Sequence, residues 1–323
     1  MLNPILRTVL HRFALGLLSL FGVSVIIFSA IDMLPGDFAQ SLLGQSATPQ
    51  TVAEFRTELG LDKPPIEQYL SWAVGAVQGD FGKSFASQGA TRPTVAKLIE
   101  PRLYNTMVLA LITAIVAVPL ALGLGVLAAL YRDSVLDRLI NFVTLTAVSV
   151  PEFFGAYLVM LFLAVKFRIF FTFYSVEAGM PLLDQLQACA LPAITLTLVI
   201  LAHMMRMTRT SIVGLLSAPY VEMARLKGVP KLTIIIRHIL PNAWGPIVNV
   251  IAVNLAYLIV GVVVVEVVFV YPGIGGLMVD AVKSRNIPVV QACALIFAAT
   301  YILLNLVADV IAIATNPRLL HPR

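Results

Sequence analysis

Charged residues are scarce in this sequence. They make up 12% of its 323 residues, and hydrophobic residues make up 59%, whereas a soluble domain carries about 25% charged residues. A water-soluble sphere of this size could not bury so much apolar surface, which excludes a soluble globular enzyme. The same hydrophobicity excludes a disordered chain. The composition therefore predicts a polytopic membrane protein.

Cysteine is also rare, since Cys189 and Cys293 are the only two, and this excludes a secreted module held together by disulfides. Both lie near the ends of apolar runs on one predicted side of the membrane. A disulfide between them is geometrically possible, but two free thiols are the expected state. No Ser-His-Asp set and no pair of carboxylates within one run indicates hydrolysis. None of the four histidines is placed to pass a metal ion across a membrane.

A phosphate-binding loop is missing too. Gly82-Lys83-Ser84 is the only Gly-Lys-Ser/Thr sequence, but such a loop needs an upstream glycine that lets backbone N–H groups surround the phosphates. Val77 occupies that position. The sequence therefore predicts a turn here, and no ATPase site on this chain.

Long apolar runs are what the sequence does contain. A transmembrane helix needs roughly 20 mainly apolar residues, and the runs are continuous rather than alternating, which excludes β-barrel strands. We therefore predict an all-α fold with six transmembrane helices. The first of them is predicted to stay in the protein rather than to be cleaved off as a signal peptide. The runs are 13–31, 103–131, 139–165, 186–205, 244–265 and 287–308, the last continuing to Thr315.

The basic residues predict the orientation. With the N-terminus inside, the inner segments hold twelve Lys and Arg residues, against four in the two short outer loops. The outer segment 32–102 holds six more, but it exceeds the length over which charge orients a helix. Both termini are thus predicted to be cytoplasmic.

Segment 32–102 is predicted to form a small ordered subdomain on the outer, periplasmic side. Breakers such as Pro35-Gly36 and Pro64-Pro65 separate two helix-like stretches, 51–59 and 65–77. Tyr69, Trp72 and Val77 are candidate anchors, and a flexible linker would lack such aromatic residues.

The inner segment 206–243 is long, basic and patterned. Ser217 can cap a helix that opens near Pro219, and Gly228 can adopt the left-handed conformation that ends it. Pro230 can then open a second basic helix that ends at Pro241. Periodicity leaves two interpretations open: an amphipathic helix on anionic lipid, or a short helix that docks into another protein.

Several motifs in order resemble those of one family. Glu222-Met223-Ala224, followed by Gly228 and by Ile239-Leu240-Pro241, resembles the EAA loop of ABC-importer permeases. Further stretches resemble the peptide-importer branch of this family. The likeness runs from about residue 5 to 318. The chain is therefore similar to the first permease subunit of dipeptide/oligopeptide/nickel ABC importers. Those stretches are Leu61-Asp62-Lys63-Pro64, Gln68-Tyr69, Gly79 to Ser84, Glu266 to Phe269, Tyr271 to Gly275, and Asn316-Pro317-Arg318.

The resemblance implies a type I ABC-importer (MetI-like) permease fold in a bacterial inner membrane. Such a permease pairs with a homologous second permease, two cytoplasmic ABC ATPases that bind ATP and Mg²⁺, and a periplasmic solute-binding protein, and it binds no cofactor itself. The implied organisation is a cytoplasmic N-terminus and first helix (1–31), a periplasmic subdomain (32–102), a five-helix core (103–315) containing the coupling loop 217–241, and a cytoplasmic tail (316–323).

The resemblance also assigns candidate site residues. The helix of the EAA loop would seat in a cleft of an ATPase, with Tyr220, Val221, Ala224 and Leu226 as an apolar plug. Glu152 and Glu266 are candidates to line the translocation pathway, although each could instead be a polar link within the bundle, and Asp309 is expected to be an interface or structural group. The predicted ATPase-coupling residues are Tyr220, Val221, Glu222, Met223, Ala224, Arg225, Leu226, Lys227, Gly228 and Pro241.

These observations together favour a non-catalytic subunit of an ATP-driven importer, with peptides as the expected cargo. Nickel chelates, opines and oligosaccharides remain alternatives, because the contacts that choose the cargo lie largely on another polypeptide. An autonomous secondary transporter is the alternative from another class. It would need polar groups for ion coupling at the membrane midplane, and this chain offers only Glu152 and a few Asn and Thr residues.

Overall fold

The computed structural model describes residues 4–32, 48–58, 62–85, 92–170 and 180–315. These residues are mainly α-helical, and within them the only β-type pairing is an isolated bridge between Lys83 and Thr94. The tail 316–323, with Asn316-Pro317-Arg318, lies outside the described residues, as does Leu61.

The α-helices are numbered here along the chain. Two short helices precede the long α4, and two others flank α10. The bounds are α1 (Pro4–Asp32), α2 (Pro49–Glu58), α3 (Pro65–Val77), α4 (Val95–Leu130), α5 (Val135–Ser149), α6 (Glu152–Val159), α7 (Leu182–Leu215), α8 (Pro219–Leu226), α9 (Lys231–Thr233), α10 (Leu240–Val268), α11 (Ile274–Lys283) and α12 (Ile287–Thr315).

All six predicted runs are helical. Among the described residues, five helices are long and apolar enough to cross a membrane, and α5 together with α6 makes a sixth candidate. The all-α membrane fold is therefore confirmed. Helices α1, α4, α7 and α10 extend beyond the predicted runs. Helix α7 continues past Met205 to Leu215, and α4 begins at Val95, inside the segment predicted as a subdomain.

The third run is not one helix, and the prediction of a single span over 139–165 is wrong in this respect. The chain bends by 109° between α5 and α6. Val150 has extended backbone angles (φ −89°, ψ 124°), because a residue before proline is pushed away from the helical region, and Pro151 follows it. Beyond α6 the helix continues as a π-helical stretch, Met160–Lys166.

The bent pair crosses the bundle rather than turning back. We call the end of the bundle that carries α8 the basal end, and the opposite end, at Glu266, the distal end. Ala129 near the end of α4 packs in the same buried cluster as Val221 of α8, so the chain enters α5 at the basal end. Cys189 near the start of α7 lies 3.4 Å (Sγ to Oη) from Tyr271 at the distal end. The segment between them must therefore cross.

The first and the last helix meet near the basal end of the described bundle. Arg12 of α1 forms an ion pair with Asp309 of α12, with 3.1 Å between nitrogen and oxygen. This pair ties the first helix to the last near the basal end, so Asp309 has a structural partner in the chain.

The core of the bundle is built on close packing of α4, α7 and α10. A Cβ on Gly125 of α4 would lie 2.8 Å from the Cβ of Thr208 and 2.9 Å from the carbonyl oxygen of Met205. Only glycine lets α4 and α7 approach so closely. Cys189 and Cys293 are both buried and free, as expected.

Candidate functional site

The short helix α8 is defined by proline and glycine signals. Pro219 occupies its first turn, and Ala218 is the N-cap without a side-chain hydrogen bond. The prediction that Ser217 caps α8 is wrong, because the Ser217 hydroxyl donates to the Gly214 carbonyl oxygen (3.1 Å) at the end of α7.

Gly228 ends α8 as the sequence predicts. Its φ of +74° is in the left-handed region, and a Cβ there would meet no atom within 4 Å, so backbone conformation alone favours glycine. The N–H groups of Gly228 and Val229 donate to the carbonyl oxygens of Arg225 (2.9 Å) and Ala224 (3.1 Å). This pattern is a Schellman motif, which satisfies the last carbonyls of a helix.

One face of α8 is fixed to the bundle. Val221 is fully buried and Ala224 is 7% exposed. They pack in a cluster with Ala129 of α4, Ile212 of α7 and Ile239, which directly precedes α10. Contrary to the sequence interpretation, Val221 and Ala224 are therefore not available as part of a plug for another protein.

The opposite face of α8 is open and mixed in character. Tyr220, Met223 and Leu226 are 41%, 56% and 78% exposed. These three apolar side chains lie together on one exposed face of α8. The charged residues Glu222, Arg225 and Lys227 are also exposed. We call Tyr220, Glu222, Met223, Arg225 and Leu226 the outer face of α8.

The chain after Gly228 continues into α10, which contains the fifth predicted transmembrane run. Pro230 precedes α9, and a π-helical stretch, Ile234–Ile239, joins α9 to α10. The predicted end of the second helix at Pro241 is wrong: Pro241 lies in the first turn of α10, where its missing N–H is tolerated, and it is exposed. Helix α8 is thus linked through α9 and the π-helical stretch to the long helix α10.

A basic cleft opens beside α8. It has a volume of about 370 Å³, and Arg132, Arg225 and Lys231 contribute its cationic groups. Arg132 pairs with Asp133 (3.3 Å) at the corner between α4 and α5. The basal surface around α8 is therefore positively charged, as the sequence predicts for the inner segments.

A buried ion pair supports this end of the bundle, and the sequence interpretation missed it. Arg209 of α7 donates two hydrogen bonds to Asp137 of α5, at 2.7 and 2.6 Å. Asp137 is 3% exposed and also accepts from the Asn141 side chain (2.7 Å) and the Asp133 N–H (3.0 Å). Such bidentate geometry fixes orientation. The available signal was Ser134 three residues before Asp137, a helix-start pattern.

At the distal end, Glu266 is fully buried. Its carboxylate accepts hydrogen bonds from the Thr106 hydroxyl (2.5 Å) and from the N–H groups of Gly275 (2.7 Å) and Gly276 (3.1 Å). It therefore caps the N-terminus of α11 from a neighbouring helix. In this geometry the carboxylate faces protein on all sides, which supports the polar-link alternative for Glu266 more than pathway lining.

The glycines of the Tyr271–Gly275 motif make room for this carboxylate. A Cβ on Gly273 would overlap the Glu266 carboxyl group, and one on Gly275 would lie 2.7 Å from the Val263 Cα. Asn105 donates to the Pro272 carbonyl oxygen (2.9 Å) and holds the same turn.

Glu152 lies at the bend of the third span, not within a continuous helix. It is the first residue of α6, after Pro151, and its side chain is half-buried. Its carboxylate faces Gly261 of α10 at 3.5 Å from the position a Cβ would take there. Glu152 is thus a carboxylate between two membrane helices at a site where α10 has no side chain.

A polar pair joins α7 to α10, and the sequence analysis did not predict it. His203 of α7 lies 3.1 Å (Nδ1 to Oδ1) from Asn254 of α10. Asn254 is 2% exposed and donates to the Val250 carbonyl oxygen (2.7 Å), so its carbonyl oxygen is the acceptor and His203 donates through Nδ1. Tyr257 packs edge-on to the His203 ring and is 60% exposed.

Two motifs that are far apart in sequence meet at the distal end. The Asn286 amide donates to the Ser84 hydroxyl (2.7 Å), and its carbonyl oxygen accepts the Phe85 N–H (3.0 Å). The glycine turn before Ser84 has φ values of +80° at Gly79 and +77° at Gly82, in agreement with the predicted turn. No group of three or more metal-binding side chains occurs in the described part of the chain.

Comparisons with known proteins agree with this geometry. The family described as "Binding-protein-dependent transport system inner membrane component" matches residues 121–321, and its N-terminal counterpart matches residues 5–110. The chain is 38% identical over 323 residues to the glutathione transport system permease protein GsiC of Shigella flexneri serotype 5b and to that of Escherichia coli strain K12. In each case 98% of both chains is covered.

Proposed function

Because the chain belongs to the family of inner-membrane components of binding-protein-dependent transport systems, and is a permease component of an ABC importer, we propose that α8 is the helix through which partner ATPases drive it. The observation that carries this proposal is the contrast between the two faces of α8. One face is buried against α4, α7 and α10, and the other exposes Tyr220, Met223 and Leu226.

The proposed docking surface is the outer face of α8, with Lys227, Gly228 and Pro241 at its border. Leu226 and Met223 supply apolar contact, while Glu222 and Arg225 set the orientation through charge pairs, which favours correct register more than affinity. Val221 and Ala224 contribute from the other side, because they hold α8 to the bundle. ATP and Mg²⁺ are bound by the partners and hydrolysis takes place there, so this chain is a non-catalytic subunit.

A charge substitution on the outer face of α8 tests the proposal. Leu226→Glu places a carboxylate in the proposed apolar contact without touching the buried face. We expect the variant to reach the membrane at normal level, to lose co-purification of the ATPases and to lose ATP-dependent uptake.

The matched control is Val135→Glu, a substitution of an 81% exposed apolar residue at the same end of the bundle. It should retain ATPase association and uptake. Normal ATPase association by Leu226→Glu, or equal loss in both variants, would contradict docking at α8.

We further propose that the chain forms half of a translocation pathway beside a homologous second permease. Glu152 is its best-placed pathway residue, because it faces Gly261 between two helices and has no hydrogen-bond or ion-pair partner within the described residues. Glu266 is proposed to act on the pathway indirectly, because its carboxylate caps α11 at the distal end of the bundle.

The proposed cargo is a short peptide, and the 38% identical relatives named for glutathione transport support this class. Nickel chelates, opines and oligosaccharides are the competing cargoes. A binding titration of the solute-binding protein encoded beside this chain tests the choice, with glutathione, dipeptides, a nickel chelate and an oligosaccharide as probes. Binding of a peptide probe alone supports the proposal, and binding of only a non-peptide probe overturns it.

We propose that the basal side is cytoplasmic, so that both termini and α8 face the ATPases. The twelve basic residues of the inner segments against four in the short outer loops support this orientation.

A further inference from the structure

Helix α3 packs against α1 several residues before the C-terminal end of that helix. The Tyr69 hydroxyl lies 2.8 Å from the Ser24 hydroxyl, and the Tyr69 ring packs edge-on against Phe21 and Phe28 at centroid distances of 6.4 and 5.5 Å. Trp72 lies beside Phe28 at 6.1 Å. These contacts place one side of α3 beside the C-terminal third of α1.

The depth of this contact follows from the geometry of α1. At about 1.5 Å per residue, Ser24 lies roughly 12 Å before Asp32 along the helix axis. The apolar run 13–31 is roughly 28 Å long, close to the ~30 Å thickness of the hydrocarbon core. The Tyr69 hydroxyl therefore reaches about 10 Å into the hydrocarbon region.

The free side of α3 is apolar along its whole length. Ile66, Leu70, Val74 and Val77 follow one another at intervals of four, four and three residues, so they form one stripe. Their exposed fractions are 73%, 54%, 55% and 90%. Val77, one of the candidate anchors of the sequence analysis, is the most exposed of the four and packs little against the protein.

The remaining face of α3 is polar. Glu67, Gln68 and Ser71 lie opposite the apolar side when positions are placed 100° apart around the helix. One flank of the apolar side meets α1 through Tyr69 and Trp72, and the other carries the free stripe. A helix of this kind lies in the membrane boundary, with its apolar face about 5–10 Å below the headgroups and its polar face in water.

We propose that α3 is an interfacial helix, embedded at the membrane boundary next to the C-terminal end of α1, and that Ile66, Leu70, Val74 and Val77 insert among lipid acyl chains. Segment 32–102 then contains a membrane-bound element, not only a subdomain in water. The stripe has no charged residue, and the neighbouring helix α1, which is predicted to span the membrane, also exposes apolar side chains such as Phe21 and Ile26. Both features favour lipid as the occupant.

Spin labels at neighbouring positions of α3 test this proposal. The full-length chain, with the subunits that co-purify with it, is reconstituted in vesicles of phosphatidylethanolamine and phosphatidylglycerol. A nitroxide is attached at Leu70→Cys on the stripe or at Ser71→Cys on the polar face. The native thiols are 1% and 0% exposed, so the label reacts with the introduced cysteine, and unsubstituted protein measures any background.

The measured quantity is the ratio of label accessibility to oxygen, which concentrates in acyl chains, over accessibility to water-soluble nickel-EDDA. We expect a ratio several-fold higher at Leu70→Cys than at Ser71→Cys, with a mobile spectrum at both. Ile66→Cys on the stripe and Gln68→Cys on the polar face form a second matched pair in case one substitution disturbs folding.

Two results would overturn the proposal. Access of nickel-EDDA to the Leu70→Cys label equal to that at Ser71→Cys would place α3 in water. An immobile Leu70→Cys label shielded from both reagents would show that protein, from a partner permease or a solute-binding protein, covers the stripe.

Discussion

Glu266 shows how a single buried carboxylate can organise one end of a membrane protein. The first N–H groups of a helix have no partner inside the helix, and a buried charge needs hydrogen bonds. Glu266 meets both needs at once, because its oxygens accept from Gly275, Gly276 and Thr106. The Ile274 N–H donates to the Thr106 hydroxyl (2.9 Å) and completes the cap of α11.

A substitution at Gly273 should therefore be costly. Gly273→Ala puts a methyl group where the Glu266 carboxylate lies, and overpacking of this kind destabilises by about 1–3 kcal/mol. Gly276→Ala is the control, because its Cβ would approach nothing closer than the Tyr271 carbonyl oxygen at 3.5 Å. Thermal unfolding in detergent, followed by tryptophan fluorescence, should show a lower Tm for Gly273→Ala alone. Equal Tm values for both variants would refute the explanation.

At the scale of helices, the ion pair between Asp137 and Arg209 joins α5 to α7. Removing one partner of a buried pair leaves an uncompensated charge, which costs about 3–5 kcal/mol. We expect Asp137→Asn and Arg209→Gln each to destabilise strongly, and the double variant to be less destabilised than the sum, because it leaves no lone charge.

The control for this cycle is Arg206→Gln, one turn earlier on α7 and exposed. It should change the Tm little. The measurement is again thermal unfolding of the purified chain. Strict additivity of the two single substitutions would show that the pair contributes no coupling.

The elements were predictable to different degrees, for physical reasons. Run length and hydropathy were enough to predict the membrane spans. The left-handed conformation that glycine favours was enough to predict that α8 ends at Gly228. The bend at Val150 was missed because the run 139–165 was predicted from its length and hydropathy alone, although a proline extends the backbone of the residue before it.

The candidate site was harder to predict than the spans. Both faces of α8 carry apolar residues, so the pattern could not tell that Val221 faces the bundle and Leu226 faces outward. The pairing of Asp137 with Arg209 joins two segments distant in sequence, and no local pattern encodes such a contact.

For the whole molecule, the number of crossings decides where the chain ends lie. With α5 and α6 as one bent span, six crossings put both termini on one side. A fluorescent protein that folds only in the cytoplasm should be bright when fused after Arg323 and when fused before Met1. Fluorescence from one fusion alone would imply an odd number of crossings, and darkness of both would invert the proposed orientation.

The length of α7 has a consequence for what can approach α8. The apolar run ends at Met205, whereas α7 ends at Leu215, roughly 15 Å farther along the axis. The last turns of α7 thus lie beyond its apolar run, and α8 follows them at the basal end of the bundle. There its exposed face, with Met223 and Leu226, is open to a large water-soluble domain.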